Sequence, residues 1–69
     1  MKQAAIKATV KYTYDEFIEL AIYADLTSSL KPGNKITATR DSEYEDITDR
    51  LKENNISFEI KTKREVVIV

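Results

Sequence analysis

Two capping motifs punctuate the chain and constrain its fold more than any other feature. Each is a hydroxyl residue followed three positions later by glutamate: Thr13 with Glu16, and Ser42 with Glu45. In such a capping box the hydroxyl accepts a hydrogen bond from the amide of the third helical residue, and the glutamate accepts one from the amide of the capping residue. The sequence therefore predicts one helix that begins at Tyr14 and another that begins just after Ser42.

The segments that precede the two motifs alternate between apolar and polar residues, which is typical of half-buried strands. Residues 4–12 and, more weakly, residues 34–40 show this pattern. Pro32 and Gly33 follow the first helix, which is predicted over residues 14–29. They end it because proline has no amide hydrogen to donate and glycine tolerates the positive φ of a turn.

The last part of the chain predicts a pair of strands. Ile56, Phe58 and Ile60 alternate with polar residues, and the apolar run Val66–Val69 follows after a turn. The order is therefore βαβαββ. With right-handed crossovers this order gives an α/β fold of the α+β two-layer type, a four-stranded mixed sheet with two helices packed on one face. A chain of this length allows one domain, predicted over residues 1–69.

This element order resembles that of several small nucleic-acid-associated proteins. Among them are the Alba chromatin proteins and the C-terminal domain of bacterial translation initiation factor three. The resemblance rests on element order alone, without a motif of either family, so it implies a fold and no function. A persulfide-carrier family with the same order depends on a cysteine, which this chain does not contain.

Histidine and cysteine are both absent, and with them the commonest general base, the commonest metal ligand and any disulfide. No catalytic, cofactor-binding or metal-binding motif is present, so we expect a non-enzymatic protein without a cofactor. No apolar run approaches the roughly 18 residues of a membrane span. We therefore expect a cytoplasmic protein with no membrane partner.

The charge is nearly balanced, with 11 basic and 12 acidic residues, but its predicted distribution is uneven. Lysines dominate the outward face of the predicted sheet, and most acidic residues fall on the helices. Solvation of an open face explains this lysine excess most simply, since that face has no predicted aromatic residue on which bases could stack. Nucleic-acid binding is the alternative, and its candidate contacts are Lys7, Lys11, Lys35, Lys61, Lys63 and Arg64.

Some apolar residues fall outside the predicted core of the first helix. At about 100° per residue, Ile22, Tyr23 and Leu26 lie apart from the side that carries Phe17. Either Ile22 and Leu26 pack against the second helix, or these residues contact a partner. Both interpretations remain open from the sequence, because small domains routinely expose apolar residues.

The run Val66, Val67, Ile68 and Val69 leaves an aliphatic pair facing outward in either register of the final hairpin. A three-residue turn places Ile60 opposite Val66 and turns Val67 and Val69 outward, whereas a four-residue turn exposes Val66 and Ile68 instead. At a sheet edge such a strand would also offer free backbone groups to another chain. In the alternative, the strand is central and its outer valines are merely tolerated.

We therefore expect a small interaction or regulatory module, homodimeric through its C-terminal strand or its open sheet face, with another protein as the alternative partner. Its partner contacts would come from the exposed apolar residues of the last strand and the first helix. A phage or mobile element is the genomic setting considered for such a module. Nucleic-acid binding through the basic sheet face and the tip of the final hairpin is the alternative function.

Overall fold

The computed structural model describes residues 10–69, and every structural statement below refers to this part of the chain. Residues 4–9 of the first predicted strand, with the candidate contact Lys7, lie outside it. The described elements are, in chain order, β1 (Lys11–Tyr12), α1 (Tyr14–Tyr23), α2 (Leu26–Ser29), β2 (Lys35–Thr37), α3 (Asp41–Glu53), β3 (Phe58–Thr62) and β4 (Glu65–Ile68).

The four described strands form one mixed sheet in the order β1-β2-β4-β3, which confirms the predicted α+β architecture. Strand β1 runs parallel to β2, whereas β4 is antiparallel to both of its neighbours. The C-terminal strand is therefore interior to the sheet. Its backbone is paired with β2 on one side and β3 on the other, so the idea that β4 recruits another chain as an edge strand is wrong.

The final hairpin adopts the register in which Ile60 lies opposite Val66 and Phe58 lies opposite Ile68. Val66 and Ile68 face the helices and are buried, with 0% and 3% of their surfaces exposed. Both side chains belong to the core of this chain, so the prediction that they contact a partner is wrong. Val67 points to the opposite side of the sheet, as the three-residue-turn alternative predicted.

A bulge in β3 produces this register with a turn of only two residues. Thr62 pairs with Glu65, so Lys63 and Arg64 alone form the turn. Lys61 is the additional residue that separates this pair from the regular part of the ladder. A bulge of this kind shifts the alternation locally and increases the twist of the strand.

Helix α1 begins where its capping box predicted. The amide of Glu16 donates to the Thr13 hydroxyl at 3.2 Å, and the Thr13 amide donates to a Glu16 carboxylate oxygen at 2.9 Å. Phe17, in the first full turn, is completely buried. Local sequence therefore fixes both the start of this helix and the side that faces the sheet.

The first helix ends six residues earlier than predicted, at Tyr23. Ala24 is extended, and Asp25 caps a new short helix, α2, by accepting a hydrogen bond from the Thr27 amide at 3.1 Å. This break redirects Leu26 into the core, where only 4% of its surface is exposed. The prediction that Leu26 lies outside the core is wrong, because it assumed a continuous helix. The sheet is accordingly accompanied by three described helices rather than two.

Helix α3 begins at Asp41, and the capping box predicted from Ser42 does not form. Arg40 occupies the capping position without a side-chain cap. Glu43 instead reaches back, and its Oε1 accepts hydrogen bonds from both the amide and the hydroxyl of Thr39 at 2.9 Å. These two hydrogen bonds, the amide bond foremost, lower the pKa of Glu43 below its ordinary value.

The core lies between the helices and one face of the sheet. Helices α1, α2 and α3 each contribute buried side chains, and β2 and β4 supply the facing residues from the two central strands. The buried apolar residues are Phe17, Leu26, Leu30, Ile36, Ile47, Leu51, Val66 and Ile68.

Candidate interaction surfaces

The sheet has one face against the helices and an opposite face that no described element covers. On this open face a single row of residues crosses all four strands: Lys11, Lys35, Val67 and Glu59. Val67 is half-buried between charged neighbours, and Val69 beyond the end of β4 has 52% of its surface exposed. The aliphatic part of the open face is therefore small.

The charge of the open face is more balanced than the sequence suggested. Glu65, opposite Thr37 of β2, adds a carboxylate that the pattern analysis did not assign to this face. Among the described residues, the open face carries three lysines and two glutamates: Lys11, Lys35, Lys61, Glu59 and Glu65. Lys11 and Lys35 lie directly opposite one another on neighbouring strands.

Arg64, a predicted nucleic-acid contact, is bound within the chain. Its Nε and Nη2 atoms lie 3.1 and 3.0 Å from Oδ1 of Asp41, and its Nη1 donates to the Thr39 carbonyl at 2.6 Å. The Ala38 amide donates in turn to the Arg64 carbonyl at 2.8 Å. Arg64 thus fastens the β3–β4 turn to the N-terminus of α3, while its neighbour Lys63 is exposed.

The described candidate basic residues consequently fall into two separate groups. Lys11 and Lys35 are paired on β1 and β2, whereas Lys61 and Lys63 lie at the far end of the sheet on β3 and its turn. Glu65 belongs to the strand between these groups. The structure therefore brings together one pair of predicted contacts and does not join it to the other.

The exposed apolar residues of α1 are Ile22 and Tyr23, with 61% and 84% of their surfaces exposed. They lie at the end of the helix, immediately before the break at Ala24. A shallow cavity of about 390 Å³ adjoins Tyr23, and its lining residues are Tyr12, Glu16, Glu19, Leu20, Tyr23 and Ala24. Of the two carboxylates in this lining, that of Glu16 accepts a hydrogen bond from the Thr13 amide at 2.9 Å as part of the capping box.

A polar cluster links α1 to α3. The Tyr14 hydroxyl donates to Oδ2 of Asp46 at 2.5 Å, and Nε of Arg50 donates to Oδ1 of the same carboxylate at 3.1 Å. The hydrogen bond to Asp46, aided by desolvation, raises the pKa of Tyr14 above its ordinary value. Since every polar partner in the cluster is another member of it, we assign it to packing between the helices.

The outer edge of β3 is the exposed feature that sequence reasoning missed. Its backbone pairs with β4 on one side, and no described strand pairs with it on the other. Ile60 points to the helix side of the sheet but has 64% of its surface exposed, whereas its cross-strand partner Val66 is completely buried. The alternation of Ile56, Phe58 and Ile60 with polar residues predicts that these three side chains share one face of the sheet. Periodicity identifies the face of a residue but not whether a helix reaches over it.

No described helix is both long enough and apolar enough to cross a membrane. Within residues 10–69 no group of three or more acidic side chains is placed to hold a metal ion. No protein family matches the sequence, and no curated protein or solved structure is significantly similar to it.

Proposed function

We propose that this chain is a non-enzymatic interaction module that self-associates as a homodimer. The observation that carries the proposal is the exposure of Ile60 on the unpaired edge strand β3. Soluble proteins usually protect such edges, because a row of free amides and carbonyls beside an apolar side chain invites another strand. A second copy of the chain offers the same edge and would protect both.

The edge of β3 supports self-association better than the open sheet face does. Around Val67 that face is lined by charged side chains, including Lys35 and Glu59. Stable interfaces generally bury about 800 Å² on each partner, with an apolar centre. Covering the open face would instead desolvate several charges around one half-buried valine, and desolvated charges are expensive unless each is well paired.

The proposal is tested by measuring the mass of the complete chain in solution across a range of concentrations. Sedimentation equilibrium should give a mass that approaches twice the 7.9 kDa of one chain as concentration rises. Light scattering after size-exclusion chromatography provides an independent check. A mass that stays at that of one chain up to high micromolar concentration would contradict self-association.

Nucleic-acid binding is a second candidate, and one observation favours it. Lys11 and Lys35 are directly opposite one another on neighbouring strands, a placement that destabilises a sheet unless an anion offsets the repulsion. A phosphate group lying across the two lysines would provide that charge. The lysines Lys61 and Lys63 are too far across the sheet to share the same phosphate.

This second candidate predicts retardation of a mixed oligonucleotide pool that weakens steeply as salt increases. Replacing Lys11 and Lys35 together with glutamine should reduce both the affinity and its salt dependence. Lys52→Gln, an exposed change on α3, serves as the matched control and should alter neither. An absence of binding at low salt would eliminate this candidate.

A further inference from the structure

The backbone of β3 has a defined set of groups that point away from the sheet. The Val69 amide donates to the Ser57 carbonyl at 3.1 Å, so the backbone of Ser57 faces β4. Bonding direction alternates along an antiparallel ladder. The backbone amide and carbonyl of Glu59 therefore also face β4. The amides and carbonyls of Phe58 and Ile60 point instead to the outer edge.

Only a few registers allow two such edges to pair antiparallel about a two-fold axis. The outward groups of Phe58 and Ile60 must lie in the hydrogen-bonded positions, so the axis passes through residue 58, 59, 60 or 61. An axis at Phe58 would pair Ile60 with Ile56, whose amide already donates to the Leu51 carbonyl at 2.9 Å, and is disfavoured for that reason. An axis at Glu59 sets this glutamate against its own copy, and an axis at Lys61 does the same for the lysine. Like charges directly opposite one another destabilise a strand pair, which disfavours both registers.

The remaining register, with the axis at Ile60, is complementary in charge. It places Glu59 of each copy opposite Lys61 of the other, which creates two opposite-charge pairs on the open side of the sheet. A lysine on an edge strand ordinarily discourages pairing. Here Glu59, two residues earlier on the same face, supplies the opposite charge in this one register.

The same register is also complementary in its apolar contacts. Ile60 meets its own copy across the axis on the helix side of the sheet, so its exposed surface is removed from water in both chains. Phe58, half-buried on the same side, lies diagonally adjacent and extends the contact. In this register the backbone hydrogen bonds form between the two copies of Ile60, because the bulge directs Thr62 towards Glu65 of β4. The charge and apolar contacts then favour this arrangement over the other registers.

We propose that two copies of this chain pair antiparallel through β3 into one continuous eight-stranded sheet, with Ile60 on the two-fold axis. The proposal rests on the self-association proposed above and specifies its surface and register. It identifies the partner as a second copy, because the edge satisfies its own charge pattern. Each Glu59 lies opposite the partner's Lys61.

Charge reversal at the two paired positions tests this register. Glu59→Lys sets lysine against lysine twice in the dimer, and Lys61→Glu sets glutamate against glutamate twice. Each variant alone should associate about tenfold more weakly than the original chain, since two favourable cross-strand pairs become unfavourable. An equimolar mixture of the two should recover association, because the heterodimer contains only opposite-charge pairs.

Sedimentation velocity at a fixed total concentration measures all of these mixtures. Glu45→Lys, the same charge change at an exposed position on α3, is the matched control and should leave association unchanged. Thermal melts followed by circular dichroism confirm that each variant is folded. Ile60→Thr, which keeps a β-branched side chain but removes most of the apolar contact, should also weaken association.

The outcomes separate this inference from the proposed function. If the original chain dimerises but neither charge reversal weakens it, or the mixture recovers nothing, the β3 register is overturned while self-association stands. A chain that is monomeric at high micromolar concentration removes both. Recovery in the mixture, with weak association of each variant alone, supports both.

Discussion

Removing the Arg64 side chain should destabilise the fold, although this residue lies at an exposed hairpin turn. Its guanidinium group contacts both the Asp41 carboxylate and the Thr39 carbonyl. Arg64→Ala therefore removes these side-chain contacts between the β3–β4 turn and the N-terminus of α3, while the backbone hydrogen bond from the Ala38 amide to the carbonyl of residue 64 remains. The perturbation leaves the buried core unchanged, so its effect reports on these polar contacts.

The expected loss is modest, because the pair is partly exposed. The Arg64 side chain is 39% exposed and that of Asp41 is 73% exposed. An ion pair in such surroundings contributes about 0–1 kcal/mol. The hydrogen bond to the Thr39 carbonyl adds about 0.5–1.5 kcal/mol. The combined loss of about 1–2 kcal/mol should lower the melting temperature of a domain this small by about 5–15 °C.

Urea unfolding followed by circular dichroism measures this loss directly, and Lys63→Ala is the matched control. Lys63 occupies the same turn and is exposed, so its removal should change the free energy of unfolding by less than about 0.5 kcal/mol. Equal stability of the two variants would refute the assignment of Arg64 as a structural anchor. In that event Arg64 would again be available as a nucleic-acid contact.

Two further predictions concern the helices. Leu26→Ala should destabilise the fold by about 2–5 kcal/mol, as expected for a buried leucine. Ile22→Ala, at an exposed position, should cost less than about 1 kcal/mol. Similar losses for the two variants in urea unfolding would indicate one continuous helix with Leu26 outside the core. Because the hydrogen bond to Asp46 raises the pKa of Tyr14 above 10.0, the stability it contributes is complete below pH 10 and is lost as the pH rises through the folded-state pKa. Tyr14→Phe should remove this alkaline loss and lower stability at neutral pH by about 1 kcal/mol, and an unchanged pH profile of unfolding would contradict the role of that hydrogen bond.

Local signals in the sequence predicted the elements well where they act over a few residues. The Thr13–Glu16 capping box set the start of α1. The same kind of signal failed at Ser42, because Glu43 formed its hydrogen bonds with Thr39 instead. Two overlapping capping options exist within a few residues there, and only the packed structure selects between them.

The break after α1 was hidden from periodicity for a related reason. Asp25 can continue a helix as an ordinary exposed residue or begin a new one as a cap. The second option wins because it turns Leu26 into the core, and burial of a leucine side chain is worth about 1.5–3 kcal/mol. That gain depends on residues far away in sequence, so a helical projection of α1 alone misplaces Leu26.

The candidate surface divides in the same way. The sequence determined the hydrophobic alternation, the charge pattern of Glu59 and Lys61 and the apolar ending Val66–Val69, because all of these are properties of neighbouring residues. Only the tertiary structure decided that β4 is interior and β3 is at the edge. Strand order follows from how the two helical crossovers, α1 with α2 and then α3, pack on one face of the sheet, and that packing involves contacts between segments distant in the chain. Because of this strand order, the exposed apolar residue at the sheet edge is Ile60 rather than one of the C-terminal valines.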